Sequence, residues 1–250
     1  MQRYFLNEPY HNQATYVVGG DHYHHIVRVM RMEPGQKSYL VFHDSIVIVA
    51  EITHITETEV WFKELEKEVA EKELPLVITI ACGLPKGDKL DWIVQKGTEL
   101  GAFAFIGFPA QTSVVKWDHK KREAKKKRLS KIATEAAEQS QRQQTPTVQL
   151  FAQSEELLAS FSNYDQVLVA YEEAAKKGEH SKLAQVLAAS QQGARLLLVF
   201  GPEGGFSKSE IDQFQAAGAL LCGLGPRILR AETAPLYALS AVSYQTELLG

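Results

Sequence analysis

Gly201-Pro202-Glu203-Gly204-Gly205 sets one carboxylate among three glycines and a proline. Glycine has no Cβ, so the backbone of such a segment can approach a flat or bulky ligand closely. The pattern is neither a Walker A loop, which ends in Gly-Lys-Ser/Thr, nor the Gly-x-Gly-x-x-Gly dinucleotide fingerprint. A carboxylate inside the loop would also repel a pyrophosphate, so the ligand class this loop suits is cationic or neutral. About twenty residues on, the segment Gly223-Leu224-Gly225-Pro226-Arg227-Ile228-Leu229-Arg230-Ala231-Glu232-Thr233-Ala234-Pro235 repeats the design. Its Leu224, Ile228 and Leu229 suit the face of a purine or ribose, and its charges suit a polar ligand end.

Both loops have recognisable supports. The apolar run Leu196–Val199 reads as a fully buried strand leading into the first loop. Ser207-Lys208-Ser209-Glu210 is a Ser-x-x-Glu capping box that opens a helix after it, with Phe206 and Ile211 spaced as a hydrophobic staple. The second loop follows a short strand, Ala219–Cys222, and Thr233 is a plausible N-cap with Pro235 in the first turn. Loops between the carboxyl end of a buried strand and a helix N-terminus are where open α/β sheets bind ligands.

Around these loops the chain divides by pattern. The first ~65 residues carry short β-branched and aromatic runs (Tyr39–Phe42, Ile46–Ile52 and Val60–Phe62) and one helix, His24 to Met32, ending before Pro34-Gly35. A small β-barrel domain over residues 1–70 is expected. The charged stretch Lys63–Glu73 is thin in apolar residues and reads as a boundary. From Leu76 strands and helices alternate, the signature of a parallel α/β domain, here residues 75–250. Its strands are Leu76–Cys82, Phe103–Phe108, Gln166–Ala170, Arg195–Phe200 and Ala219–Cys222. Its helices start at Asp88 as a cap, run from about His119 to Gln143, sit around Leu183–Ala189, cover Ser207–Ala217 and close the chain from about Thr233 to Leu248.

The formal charge of −3 conceals a local asymmetry: nine of the 27 Lys and Arg residues lie between Lys116 and Lys131. A near-neutral chain with such a segment remains compatible with an anionic partner. Cys82 and Cys222 lie in apolar runs without metal-ligand spacing, which implies buried thiols in a reducing, cytoplasmic setting. The N-terminus lacks the apolar core of a signal peptide, and no run has the length of a membrane span, so no membrane partner is expected. His22, His24 and His25 are not spaced as a metal motif, and no metal is expected.

The ordered motifs resemble the RsmE family of the SPOUT methyltransferases. Gly-Pro-Glu-Gly-Gly followed by Leu-Gly-x-x-Ile-Leu-Arg-x-Glu-Thr-Ala carries the resemblance, together with Gly83–Lys89, Gln95–Gly101, Ser113–Lys116 and Glu135–Ser140. Arg3-Tyr4-Phe5 and His24–Arg31 resemble the family's PUA-like RNA-binding domain. The resemblance implies a parallel α/β methyltransferase domain with a C-terminal trefoil knot, a bent S-adenosylmethionine bound by the knot loops, and a homodimer. It implies methylation of N3 of a single uridine in 16S ribosomal RNA of the small subunit. Cofactor contacts carried over are Tyr171, Glu172, Gly201, Glu203, Gly204, Leu224, Gly225, Ile228, Leu229, Arg230, Thr233 and Ala234. Expected RNA contacts are Arg3, Arg28, Arg31, Lys86, Lys89 and Lys116, with Arg28 and Arg31 on one helix face. Where the family pattern leads one to expect an arginine before Ser113, this chain has Thr112.

Uracil N3 is protonated at neutral pH, so the site needs a base or a cation that stabilises the uracil anion. Arg230 is the candidate cation, with Arg142 of the long helix as a second. Glu203, Glu232 and Glu138 are the candidate bases. Methylation of a ribose 2′-oxygen and non-catalytic ribosome binding are the competing readings.

Overall fold

The computed structural model describes residues 1–69, 71–173 and 182–249. Two compact units form, one of Met1–Glu73 with Ala137–Thr145, the other of Leu74–Ala136 with Pro146–Gly250.

In the first unit, β1 (Arg3–Phe5), β2 (Tyr16–Gly19), β3 (Lys37–Val41), β4 (Val47–Ile55) and β5 (Glu59–Lys67) make a mixed sheet in the order β1-β3-β4-β5-β2. Only β1 and β3 run parallel. Register shifts at Val49/Ala50 and Ile52/His54 bulge the β4–β5 ladder, which bends strands. The concave core holds Tyr4, Tyr16, Leu40, Ile48 and Phe62. A short helix, α1 (Gly20–Tyr23), continues as a π-turn over His24–Val29. The helix expected to reach Met32 therefore stops earlier, and Arg31 takes a left-handed φ of 53°. Arg28 and Arg31 do not share a helix face.

The stretch expected to be a boundary does end where the first unit gives way to the second, at Glu73, and it is also structural. β5 runs on to Lys67, and the carboxylates that follow tie the unit together. Glu64 accepts from the Tyr10 and Tyr16 hydroxyls at 2.9 and 2.8 Å. Glu68 takes two bonds from the Arg3 guanidinium at 2.9 and 2.8 Å, and Lys72 Nζ at 2.6 Å. Glu73 pairs with Arg142 and accepts the backbone N–H of Gln143 at 2.9 Å. Alternating charge reads as a solvated linker by composition, but here Glu64, Glu68 and Glu73 each have built partners.

The second unit is a six-stranded, all-parallel sheet. β6 (Val77–Gly83), β7 (Ala104–Phe108), β8 (Thr147–Leu150), β9 (Gln166–Ala170), β10 (Arg195–Phe200) and β11 (Leu220–Cys222) lie in the order β11-β9-β10-β6-β7-β8. Alternate residues of a strand face opposite sides, and both sides are covered. Ile78, Ile80, Leu196, Leu198 and Phe200 pack against α2 (Lys89–Glu99), α3 (His119–Gln139), α5 (Lys182–Ala189) and α7 (Thr233–Ser243). Ala81, Leu197, Val199 and Phe108 pack against α4 (Ser154–Ser160) and α6 (Lys208–Ala216). Burial on both faces explains why β10 reads as a continuous apolar run. β8 and α4 were missing from the sequence expectation because each is short and only partly apolar.

Two boundaries and one cap bond differ. α3 ends at Gln139 rather than Gln143, because Gln141 adopts φ 61°. Asp88 precedes α2 but makes no side-chain cap bond. Glu232, not Thr233, is the residue before α7, and the closing helix passes into a π-turn at Tyr244–Leu248. Cys82 and Cys222 are buried and in no disulfide, and burial pushes the Cys82 thiol up to about 12.

Arg3 was an expected RNA contact, but it is 1% exposed. Besides Glu68 it donates to the Arg142 carbonyl at 3.2 Å and lies 4.5 Å over the Tyr39 ring. It is a tie between β1 and the 137–145 segment, out of reach of a phosphate. Burial would raise the Glu68 carboxyl, but hydrogen bonds and charge from Lys72 and Arg3 outweigh it and hold it below its usual value. A lowered folded value stabilises the native state above the unfolded value and is lost as pH falls through the folded one. Arg3→Ala is expected to cost about 2–3 kcal/mol at neutral pH, since it leaves a buried carboxylate with Lys72 alone as its cation. Urea midpoints should show this deficit, and the gap to wild type should shrink as pH is lowered from about 6 to about 3.

Candidate active site

β6, β9, β10 and β11 end on the same edge of the sheet, and the loops leaving them enclose a cavity of about 990 Å³. That lies at the upper end of the usual range for small-molecule sites. One wall is the glycine loop Gly201–Gly205; another is the second loop, Leu224–Ala231. Tyr171 and Glu172 complete it after β9.

The glycine loop is held by backbone proximity. A Cβ on Gly83 would lie 2.5 Å from Pro202 Cδ and 3.1 Å from Ala110 Cβ. One on Gly201 would lie 3.0 Å from the Gly205 carbonyl carbon, and one on Gly204 3.0 Å from Thr112 Cβ. The absence of Cβ atoms thus serves contact between protein segments as much as room for a ligand. Gly205 has φ 66°, a conformation that favours glycine.

Polar bonds fix the same loop to the segment after β7. Thr112 Oγ1 donates to the Gly205 carbonyl at 2.5 Å, where the family pattern led us to expect an arginine. Glu210, 3% exposed, accepts the backbone N–H of Gln111 at 2.7 Å and that of Ser207 at 2.8 Å. Ser207 Oγ accepts from the Glu210 N–H at 3.1 Å, so the expected capping box is present. Phe206 stacks on Phe108 and meets Phe214 edge-on, in the cluster that contains Ile211. Gln111 and Thr112 went unrecognised as loop supports because their partners lie about a hundred positions away in sequence.

Of the residues expected at a cofactor, Tyr171, Glu172, Gly201, Glu203, Gly204, Leu224, Gly225, Ile228, Leu229, Arg230 and Ala234 all line the cavity. Thr233 does not; it is the first residue of α7 and its N–H bonds the Arg230 carbonyl at 2.9 Å. Ile228 is 77% exposed at the rim, and the Arg230 side chain is 84% exposed, with Glu232 4.0 Å away. Arg227, also exposed on the wall, was not singled out from sequence although it lies three residues from Arg230.

Other expected site residues lie elsewhere. Arg142 is not on α3; it is 3% exposed and paired with Glu73 in the first unit, so it has no cation to offer a substrate. Glu138 also belongs to the first unit, where its charge helps raise the Tyr4 hydroxyl, mainly raised by burial. Lys86 and Lys116 are exposed, as are Arg28 and Arg31. Lys89, expected at RNA, instead lines the cavity with its ammonium 2.8 Å from Glu203. Burial would raise the Glu203 carboxyl, but Lys89 and the backbone N–H groups of Glu203 and Lys86 outweigh it and hold it below the usual range. That makes Glu203 a weak proton acceptor.

Comparison with known proteins fits this geometry. Residues 72–243 match the RNA methyltransferase domain family and residues 18–65 the RNA methyltransferase PUA domain. A ribosomal RNA small subunit methyltransferase E of Bacillus subtilis (strain 168) is 47% identical over 252 residues, spanning 100% of this chain and 98% of that protein. The chain belongs to the ribosomal RNA small subunit methyltransferase E family. A Synechocystis member is 32% identical, over 92% of this chain and 73% of its own length. The crystal structure of the Neisseria gonorrhoeae member, bound to S-adenosyl methionine, superposes with a TM-score of 0.82 at 27% identity, covering 98% of each chain. The sheet of the first unit accordingly falls largely in the family's PUA-like domain and the parallel sheet of the second in its methyltransferase domain, whose match also takes in the 137–145 segment of the first unit.

Among the described residues no group of His, Cys, Asp and Glu is arranged to hold a metal ion, and no helix is long and apolar enough to cross a membrane. The close approach at Gly83 makes a direct forecast. Gly83→Ala should displace Pro202 and lower stability by about 1–3 kcal/mol, the usual cost of overpacking. Gly193→Ala, with open space around its Cβ but φ 80°, should cost less, about 1 kcal/mol. Urea denaturation of the two variants checks the order.

Proposed function

We propose that this protein methylates N3 of a single uridine in 16S ribosomal RNA of the small subunit, using S-adenosylmethionine. The observation that carries the reading is the cavity between the two glycine loops, with apolar Leu224, Ile228 and Leu229 beside the Glu203 carboxylate. Those features suit an adenosine face and a cationic sulfonium. Gly201, Gly204 and Gly225 would offer backbone, and Tyr171 and Glu172 a further wall. When bound, S-adenosylmethionine supplies an activated methyl group on a positively charged sulfur.

The chain's own task is to bring uracil N3 in line with that methyl and to make the N3 proton leave. Arg230, exposed on the cavity rim, is the candidate to stabilise the uracil anion through its carbonyl oxygens. Arg227 is placed to assist. Arg28, Arg31, Lys86 and Lys116 remain candidates for phosphate contacts, which position RNA without reading its sequence. A knotted C-terminal segment and a homodimer belong to the same proposal through the family resemblance, with dimerisation open to sedimentation measurements.

Methylation of immature small subunits with labelled cofactor, followed by mapping of the product base, tests the reading. A methyl on uridine N3 is expected; a methyl on a ribose oxygen would overturn it. Arg230→Ala should lower kcat by about 100-fold or more, the size associated with one lost anion-stabilising donor. Its thermal unfolding should match wild type, because the side chain is exposed. Wild-type turnover in that variant removes Arg230 from the chemistry.

A further inference from the structure

Lys89 is the first residue of α2, and its ammonium stands between carboxylates of two different loops. Glu203 Oε1, on the loop after β10, is 2.8 Å away; Glu232 Oε2, at the end of the loop after β11, is 3.4 Å away. Glu203 Oε1 also accepts the backbone N–H of Lys86 at 3.1 Å. Glu232 Oε2 is buried and has no hydrogen-bond donor, so the charge of Lys89 is the favourable contact the described structure gives it. Glu232 itself does not line the cavity, whereas Lys89 and Glu203 do. One cation on a core helix thus joins the two loops that face each other across the cavity. The Arg230 guanidinium lies 4.0 Å from the other oxygen of Glu232, so two carboxylates are set between two cations beside the ligand space.

The geometry points to Lys89 as a positioning residue of the methyl-donor site: it holds Glu203 and Glu232, and with them both loops, at the spacing that a sulfonium ligand requires. The inference rests on the S-adenosylmethionine reading above and gives Lys89 and Glu203 different roles from those their sequence positions suggested. An ammonium already shared by two carboxylates is a poor phosphate contact. A carboxylate bonded to that ammonium and to a backbone N–H is a poor general base, consistent with its lowered proton affinity. Glu203 instead supplies negative charge near the donor cation. Glu232 gives the ammonium a second seat, toward which it can move when ligand charge engages Glu203.

The test uses the full-length protein and four variants: Lys89→Met, Lys89→Arg, Glu203→Gln and the Lys89→Met/Glu203→Gln double. S-adenosylmethionine affinity is measured by calorimetry, small-subunit affinity by filter binding, and methyl transfer over a range of cofactor concentrations. Lys89→Met should weaken cofactor binding about tenfold, the scale of one truncated, partly exposed charge pair. Small-subunit affinity should stay within about twofold. Glu203→Gln should put its loss mainly on KM for the cofactor, and the double variant should be no worse than the poorer single by more than about twofold, as expected for residues acting as one unit. Lys89→Arg should recover most of the affinity, which a purely steric role would not allow.

Lys89→Met with unchanged cofactor affinity and weakened subunit binding would make Lys89 an RNA contact and overturn the proposal. So would a Glu203→Gln variant whose loss lies wholly in kcat at saturating cofactor, as a general base requires. Glu203→Gln alters a partly exposed loop side chain and so decides the matter even where Lys89→Met folds poorly. A wild-type protein that binds no S-adenosylmethionine would sink the functional reading itself, an outcome distinct from equal binding by wild type and Lys89→Met.

Discussion

The close approach of chain segments at the glycines around this loop is the constraint on which the catalytic unit depends. Gly83 ends β6 against Pro202 with no room for a Cβ, and Gly201 against Gly205 and Gly204 against Thr112 leave only tight room for one. Interiors are packed as densely as molecular crystals, so a methyl group at the Gly83 junction forces Pro202 to shift. The positions of Glu203 and Phe206 follow from it. Phe206 anchors one end of the loop in the core beside Phe108 and Phe214, and the Ser207–Glu210 box fixes the helix start that follows.

Carboxylates act mainly as ties in both units. Glu68 and Glu73 bind Arg3 and Arg142 and so hold the 137–145 segment onto the first sheet. Glu210 binds two backbone N–H groups and couples the segment after β7 to α6. Glu203 and Glu232 share Lys89. Buried cations are thus committed to structure, while Arg227 and Arg230 keep exposed guanidinium groups at the cavity.

Much of this was legible in the sequence where the signal is local. The buried strand β10, the capping box at Ser207 and the pairing of two glycine loops depend on neighbouring residues, and each stands where its pattern put it. What escaped depends on distant partners. Lys63–Glu73 has the composition of a linker, and only the arrival of Tyr10, Tyr16, Arg3 and Arg142 turns its glutamates into anchors. Arg142 seemed available because it follows a long polar helix; the left-handed Gln141 breaks that helix and turns the arginine inward. Lys89 looked like a surface cation because nothing near it in sequence announces Glu203 or Glu232.

These placements bear on how a uracil N3–H would be activated. Lys89 and two backbone N–H groups hold the Glu203 carboxyl below its usual value, which makes it a weaker base than an unpaired glutamate. Arg142 and Glu138 belong to the first unit and are not among the cavity's lining residues. What the cavity does offer is positive charge from the exposed Arg227 and Arg230 and negative charge from Glu172, Glu173 and Glu203. That polarity suits a reaction in which a methyl cation equivalent moves from a sulfonium toward a base made anionic by cations on its carbonyl oxygens. On this reading the cations at the site stabilise the N3 anion and so make N3–H more acidic, and the proton can leave to water at the exposed rim rather than to a dedicated carboxylate.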